Sequence, residues 1–233
     1  MTSIEVFDVV DVLSPDTEKY KEGFVAAGES LKEAYEIFNS VSYATKEDWK
    51  KESEANGDVV YSKSIKYGKM FSLSTELPLD CESVFSDNWT GMESLSQWNP
   101  NYAFSHSFKS LSEHADVVHY GNNDVLVIKG RDFVVSRMWR KVGDAYYLSG
   151  RSFETPDIPE SKANVRAVLH VGAGRFQPHP TDSNKCKVDF VMCIDFKGWV
   201  PGKMVNAAMG KMMLQDAEIN KKRCAELRDA KNA

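Results

Sequence analysis

No apolar run in this chain approaches the roughly 20 residues that a membrane-spanning helix needs. The first residues, MTSIEVFDVVDVL, carry Glu5, Asp8 and Asp11 and lack a positive segment, so neither a secretory signal nor a transit peptide is expected there. Cysteine is scarce: Cys81, Cys186, Cys193 and Cys224 show no CxxC spacing, which fits reduced thiols in a cytoplasmic protein. Basic blocks interleaved with aromatics are missing and the net charge is −5, which argues against a nucleic-acid partner. The G-x-S-x-G elbow is absent, and no Ser, His and Asp set has motif support, so no enzyme is expected. His106 and His114 lie eight positions apart in a strand-and-turn region, which is not ligand spacing; no metal and no cofactor are expected. Gly172-Ala173-Gly174 is half of a dinucleotide fingerprint without a βαβ unit around it, and reads as a bend or bulge. Internal repeats and low-complexity segments are also lacking.

What is there is an ordinary globular composition. The 233 residues are 42% hydrophobic and 27% charged, enough for one large core. The organising stretch is Gly130 to Arg140, GRDFVVSRMWR, which reads as a strand. Phe133, Val135 and Trp139 share one face at period two; Asp132, Ser136 and Arg140 share the other. Arg137 falls on the apolar face. A guanidinium there is costly unless it is paired. Either the strand lines an interior cavity with Arg137 as one of its few polar groups, or the arginine stem snorkels past Trp139 to the surface.

Along the chain, Ser14-Pro15 predicts a helix start. Tyr20, Phe24, Ala27, Leu31, Tyr35 and Phe38 then form an apolar stripe ending near Ser40. Three strands follow, about 49–55, 59–65 and 70–76, with Asn56-Gly57-Asp58 and Tyr67-Gly68 as turns. Asp80 caps a helical section that Trp98-Asn99-Pro100 stops. Six strands are predicted at about 102–111, 115–120, 132–141, 145–153, 164–176 and 186–196. In the last, Cys186, Val188, Phe190, Met192, Ile194 and Phe196 alternate with Lys187, Asp189 and Asp195, predicting one buried and one wet face. A final helix spans about 201–227. Its first half carries Met204, Val205, Ala208, Met209, Met212 and Met213, and flexible methionine suits a surface that repacks around a variable ligand as well as one that fills core gaps. The expected fold is α+β: a curved antiparallel sheet of about nine strands around a long C-terminal helix, with residues 1–14 as a tail and 15–230 as a single domain.

Trp98-Asn99-Pro100-Asn101, Gly130-Arg131-Asp132-Phe133-Val134 and Cys193-Ile194-Asp195-Phe196-Lys197-Gly198-Trp199-Val200-Pro201 resemble signature segments of the steroidogenic-acute-regulatory-protein-related lipid transfer (START) domain. The stretch from Asp48 to Asp58 resembles its sterol- and carotenoid-binding branch. The likeness runs from about residue 20 to residue 228. It implies a helix-grip fold, an internal tunnel for one lipid, and a gate made by the loop Gly121–Lys129 and the C-terminal helix. By position in the motif, Arg137 falls on the branch's tunnel arginine and Met212 on a lining position of the lid helix. One departure concerns the acid that faces that arginine, just after a histidine: here His119 is followed by Tyr120. By this alignment the acid has become a phenol, which makes the polar end less charged and is the ground for a carotenoid, and the loop is about two residues shorter. Asp116 and Asp124 are possible substitutes but lie off register. Another departure is Val171-Gly172-Ala173-Gly174-Arg175, where the branch has Gly-Pro and a cysteine.

The resemblance implies a transfer protein for a sterol such as cholesterol, and it carries two alternatives: a carotenoid carrier, or a lipid-responsive sensor or scaffold. The expected ligand-binding residues are Arg137, Tyr120, Val135, Trp139, His170, Phe190, Met192, Ile194, Met204, Ala208, Met209 and Met212. The expected gate residues are Asp124, Val125, Leu126, Val127, Ile128, Trp199 and Val205. The expected partners are one small lipid and, transiently, a membrane surface; a cytoplasmic monomer is expected, peripheral on membranes at most.

Overall fold

The computed structural model describes residues 1–124, 129–198, 200 and 202–231. An N-terminal hairpin, β1 (Ser3–Val6) and β2 (Val9–Val12), leads through a turn and a short 3-10 segment into α1 (Lys21–Asn39). A short helix α2 (Val41–Thr45) and the meander β3 (Lys50–Ala55), β4 (Asp58–Ile65) and β5 (Gly68–Leu77) follow. Next come α3 (Cys81–Thr90), a 3-10 turn and α4 (Leu95–Trp98). The second half contains β6 (Phe104–Ser110), β7 (Ala115–Gly121), β8 (Arg131–Val142), β9 (Ala145–Ser152), β10 (Val165–Arg166), β11 (Val168–His179), β12 (Asp182–Asp195) and α5 (Gly202–Lys231). Among the described residues, one ten-stranded sheet runs in the order β3-β4-β5-β12-β11-β9-β8-β7-β6, with β10 pairing parallel to β8. The α+β helix-grip expectation is met, and the predicted strands fall within a few residues of the observed ones.

Three local expectations are corrected. Ser14 does not cap α1; its hydroxyl bonds Asp16 and Thr17, and the helix begins at Lys21 after a tight turn. The residues read as a tail form the β1–β2 hairpin, whose Val6 is fully buried and which is followed by the fully buried Leu13. The wet face predicted for β12 is covered over its middle, where α1 lies on that side of the sheet, while Lys187 stays exposed and Asp195 half-buried. Asp189, Val191 and Cys193 are all buried there.

The sheet is thus buried on both faces. On the outer face the α1 stripe Phe24, Ala27, Leu31 and Phe38 packs in one core with Val134, Met138, Val171 and Val191. Complete burial of each such side chain contributes about 1.5–3 kcal/mol. The other face carries α5. Its Met209, Met213 and Ala217 close on Val60, Phe71 and Leu73 of β4 and β5. Gly210 permits the approach to β3, since a Cβ there would stand 2.5 Å from Ser53 Oγ and 3.3 Å from its Cβ. Beyond β5 the helix and the sheet diverge, and α3, α4 and the segment after them close the far side. The space between is not filled.

Candidate functional site

That space is a cavity of about 330 Å3, within the range of small-molecule sites. Its walls are mostly apolar: Phe133 and Val135 of β8, Leu169 and Phe176 of β11, Val188, Phe190, Met192 and Ile194 of β12, and Met212 of α5. Backbone forms part of the wall at Gly150 and Gly172, which pair across β9 and β11. A Cβ on Gly150 would meet Val135 Cγ1 at 2.6 Å, so glycine lets the two strands line the cavity without collision.

Arg137 does face inward, and Asp116 stands directly opposite it in the β7–β8 register. The expectation that Asp116 is off register is therefore corrected. The Arg137 Nε donates to Asp116 Oδ1 at 2.9 Å, and a terminal nitrogen donates to Oδ2 at 2.6 Å. Further bonds reach the carbonyls of Asn88 (3.2 Å) and Trp89 (2.9 Å) in the last turn of α3. A guanidinium suits a helix C-terminus, where carbonyls lack intrahelical partners. Four of its five N–H groups are committed, leaving one for the cavity. The phenol after His119 did not replace the acid; the acid sits four residues earlier. Tyr120 lines the cavity beside it, and burial pushes its phenol pKa well up while the Arg137 charge pulls it down.

Of the other expected ligand residues, Val135, Phe190, Met192, Ile194 and Met212 line the cavity. Trp139 does not. Its alternation is right, but Phe85 and Trp89 of α3 cover the strand there, with ring centroids 4.9 and 6.4 Å away. His170 points elsewhere and stacks on Tyr67 at 5.0 Å. A register shift between Leu169 and Val171 inserts one residue into β11, so Leu169 faces the cavity and strict alternation fails at His170. Ala208 is on the exposed side of α5, and Met209 is spent on the contact with β4 and β5. At the expected gate, Asp124 accepts a bond from the Gly130 amide at 2.5 Å, and Val205 packs with the α5–β5 cluster. Val125, Leu126, Val127, Ile128 and Trp199, and the side chain of Met204, lie outside the described residues.

Sequence reasoning missed a second polar group. Asp216 of α5 accepts from Asn99 Nδ2 (2.8 Å) and Asn101 Nδ2 (3.2 Å) at Oδ1 and from Asn220 Nδ2 (3.2 Å) at Oδ2. Burial pushes its carboxyl pKa up, against the pull of these three amides. Tyr102 lies next to it; burial raises that phenol's pKa, and the Asp216 charge and Tyr120 add to the rise. The signal was available: Met209, Met213, Asp216 and Asn220 fall on one helical stripe, and a carboxylate interrupts it as Arg137 interrupts β8.

Residues 29–230 match the START domain. The chain is 40% identical over 228 residues to "Steroidogenic acute regulatory-like protein 1" of Caenorhabditis elegans, covering 97% of this chain and 88% of that protein. It is 30% identical over 175 residues to "Steroidogenic acute regulatory protein, mitochondrial" of Oncorhynchus mykiss, covering 74% of this chain and 61% of that one. Among solved structures, human StAR-related lipid transfer protein 5 superposes with a TM-score of 0.80 at 16% identity, covering 90% of this chain and 99% of that one. Human STARD10 superposes with a TM-score of 0.75 at 20% identity, covering 88% and 82%.

Proposed function

We propose, from the premise that this chain belongs to the START domain family, that it is a non-enzymatic cytoplasmic carrier for a single apolar lipid of the sterol class. Residues 15–230, with the N-terminal hairpin packed into their core, act as one lipid-binding unit. The observation that carries the reading is the apolar cavity of about 330 Å3 between the sheet and α5. Burying several hundred Å2 of a fused hydrocarbon skeleton at about 25 cal/mol per Å2 is a large driving force. The few polar groups of the wall, among them Arg137, Tyr120 and Asp216, set the orientation of the ligand. The names of the relatives, steroidogenic acute regulatory proteins, support a sterol over other lipids.

Val135, Phe190, Met192, Ile194 and Met212 contact the skeleton. Entry requires α5 and the loop around residues 121–129 to part. Asp124 holds the base of that loop. Arg131 holds the start of the connection to α5 through the carbonyls of Phe196 and Lys197, both at 3.1 Å. A membrane surface lowers the cost of exposing the greasy interior during opening. The carotenoid alternative rested on loss of the acid opposite Arg137, and Asp116 restores that acid.

The test is binding of a fluorescent sterol to the purified protein and its transfer between donor and acceptor vesicles. One equivalent bound, with transfer faster than spontaneous exchange, is expected. No saturable binding of the sterol refutes the reading.

A further inference from the structure

We infer that Asp216, and not Arg137, is the residue that recognises the polar end of the ligand, and that it selects a lipid with a hydroxyl to donate over one that can only accept. This rests on the sterol reading above. Arg137 is neutralised by a two-point ion pair with Asp116 and tied to two helix carbonyls, so it has one N–H left to offer. Asp216 differs in each respect. Among the described residues no cation stands within ion-pairing distance of it, and all its partners are neutral amides. A carboxylate offers about four lone-pair sites. Two on Oδ1 are taken by Asn99 and Asn101, and one on Oδ2 by Asn220. The fourth is free, on an atom of a residue that lines the cavity.

Its surroundings fit a hydroxyl. Tyr102 and Tyr120 line the same stretch of wall, with ring centroids 5.8 Å apart, and neither phenol has a side-chain partner among the described residues. A ligand O–H donates to Asp216 Oδ2 while its oxygen accepts from a phenol. A ketone satisfies the phenol and leaves the carboxylate lone pair dry and unpaired, which is the costly case. The three asparagine amides all donate to the carboxyl and so favour its accepting form, against the burial around it. Asn99 is 1% exposed and comes from the turn that ends α4, while Asp216 comes from the lid helix. The site therefore spans the two walls of the cavity, and a bound hydroxyl would report to both.

The experiment compares cholesterol with cholest-4-en-3-one, a hydroxyl and a ketone on nearly the same skeleton, as displacers of a bound fluorescent sterol. For the unaltered protein the hydroxyl is expected to win by about 10-fold or more, the size of a hydrogen bond to a charged group. In Asp216→Asn, whose amide can donate as well as accept, the ratio is expected to fall below about 3-fold. Equal affinities in the unaltered protein, with both sterols bound, overturn this inference and leave the sterol reading standing. A ratio unchanged in a folded Asp216→Asn overturns it too. If neither compound binds, the sterol reading itself falls and takes this inference with it. The comparison in the unaltered protein needs no variant, so a variant that fails to fold does not obstruct it.

Discussion

A guanidinium with four of its five hydrogens already committed is an anchor first. Arg137 links β8 to β7 and to the last turn of α3, so its removal strands Asp116 in a nearly closed site. Arg137→Leu is expected to lose about 3–5 kcal/mol of stability in urea unfolding, and adding Asp116→Leu is expected to recover a good part of it. Lys46 is a second case. Its ammonium sits 3.0 Å from the Tyr43 ring centroid and 4.7 Å from that of Trp49, without a hydrogen-bond partner. Burial brings its pKa down from 10.5 to about 8. Between those values the unfolded chain holds a proton that the folded chain has lost, so the Lys46 contribution to stability rises with pH from about 8 to about 10, while the buried thiols Cys186, Cys193 and Cys224, whose pKa values are raised, contribute a fall over the same range. Above that, Tyr43 adds to the fall, because burial and then Asp189 hold its phenol protonated in the fold while the unfolded chain ionises. Urea midpoints from pH 7 to 11 for the unaltered protein and for Lys46→Met check this: the unaltered protein is expected to gain on the variant between about pH 8 and 10, and both are expected to fall above that. The positions of Arg137 and Asp216 in apolar stripes could be read from spacing. Their partners could not, since Asp116 and Asn99 lie 21 and 117 positions away.

Among the elements, α5 carries the most consequence. It is held at β4 by Lys221–Asp58 and at α3 by Arg223–Asp87 and Lys231–Asp80, and its methionines cover β5. The ion pairs are partly exposed and contribute little each, so the apolar seam does most of the holding. Gly210 lies close against β3, and a side chain there must push against Ser53. Gly210→Leu gains about 1 kcal/mol in helix propensity and loses about 1–3 kcal/mol to overpacking. The expected outcome is faster amide exchange along α5 with β8 unchanged, and faster sterol transfer between vesicles. Slower exchange along α5 would mean that the helix has room to spare over β3.

At the scale of the molecule, the two faces of the sheet are not equivalent. One is packed solid under α1 and the N-terminal hairpin; the other holds the cavity. The hairpin's part is visible at Arg140, which is 1% exposed and donates to the carbonyls of Val6 and Val9 and to Asp11. Removing residues 1–13 takes away the Asp11 partner of a buried charge, at a cost of about 3 kcal/mol or more. For a chain of this size that corresponds to a melting point lower by roughly 6–12 °C, readable by calorimetry. The nine longer strands of the main sheet, the turn positions, the apolar faces of α1 and β12 and the lid methionines were readable in the residues, because alternation and turn chemistry are properties of neighbours along the chain. The hairpin was not, since Val6, Leu13 and Asp11 gain their meaning from α1 and Arg140. Nor was the pairing of Arg137 with Asp116, which depends on the register between β7 and β8. The misplacement of His170 has the same root: one inserted residue in β11 reverses inside and outside, and a bulge exists only relative to the strand beside it. Local order therefore follows from the chain, while the shape of the empty space, and which polar groups face it, is settled by elements that meet from a hundred residues apart.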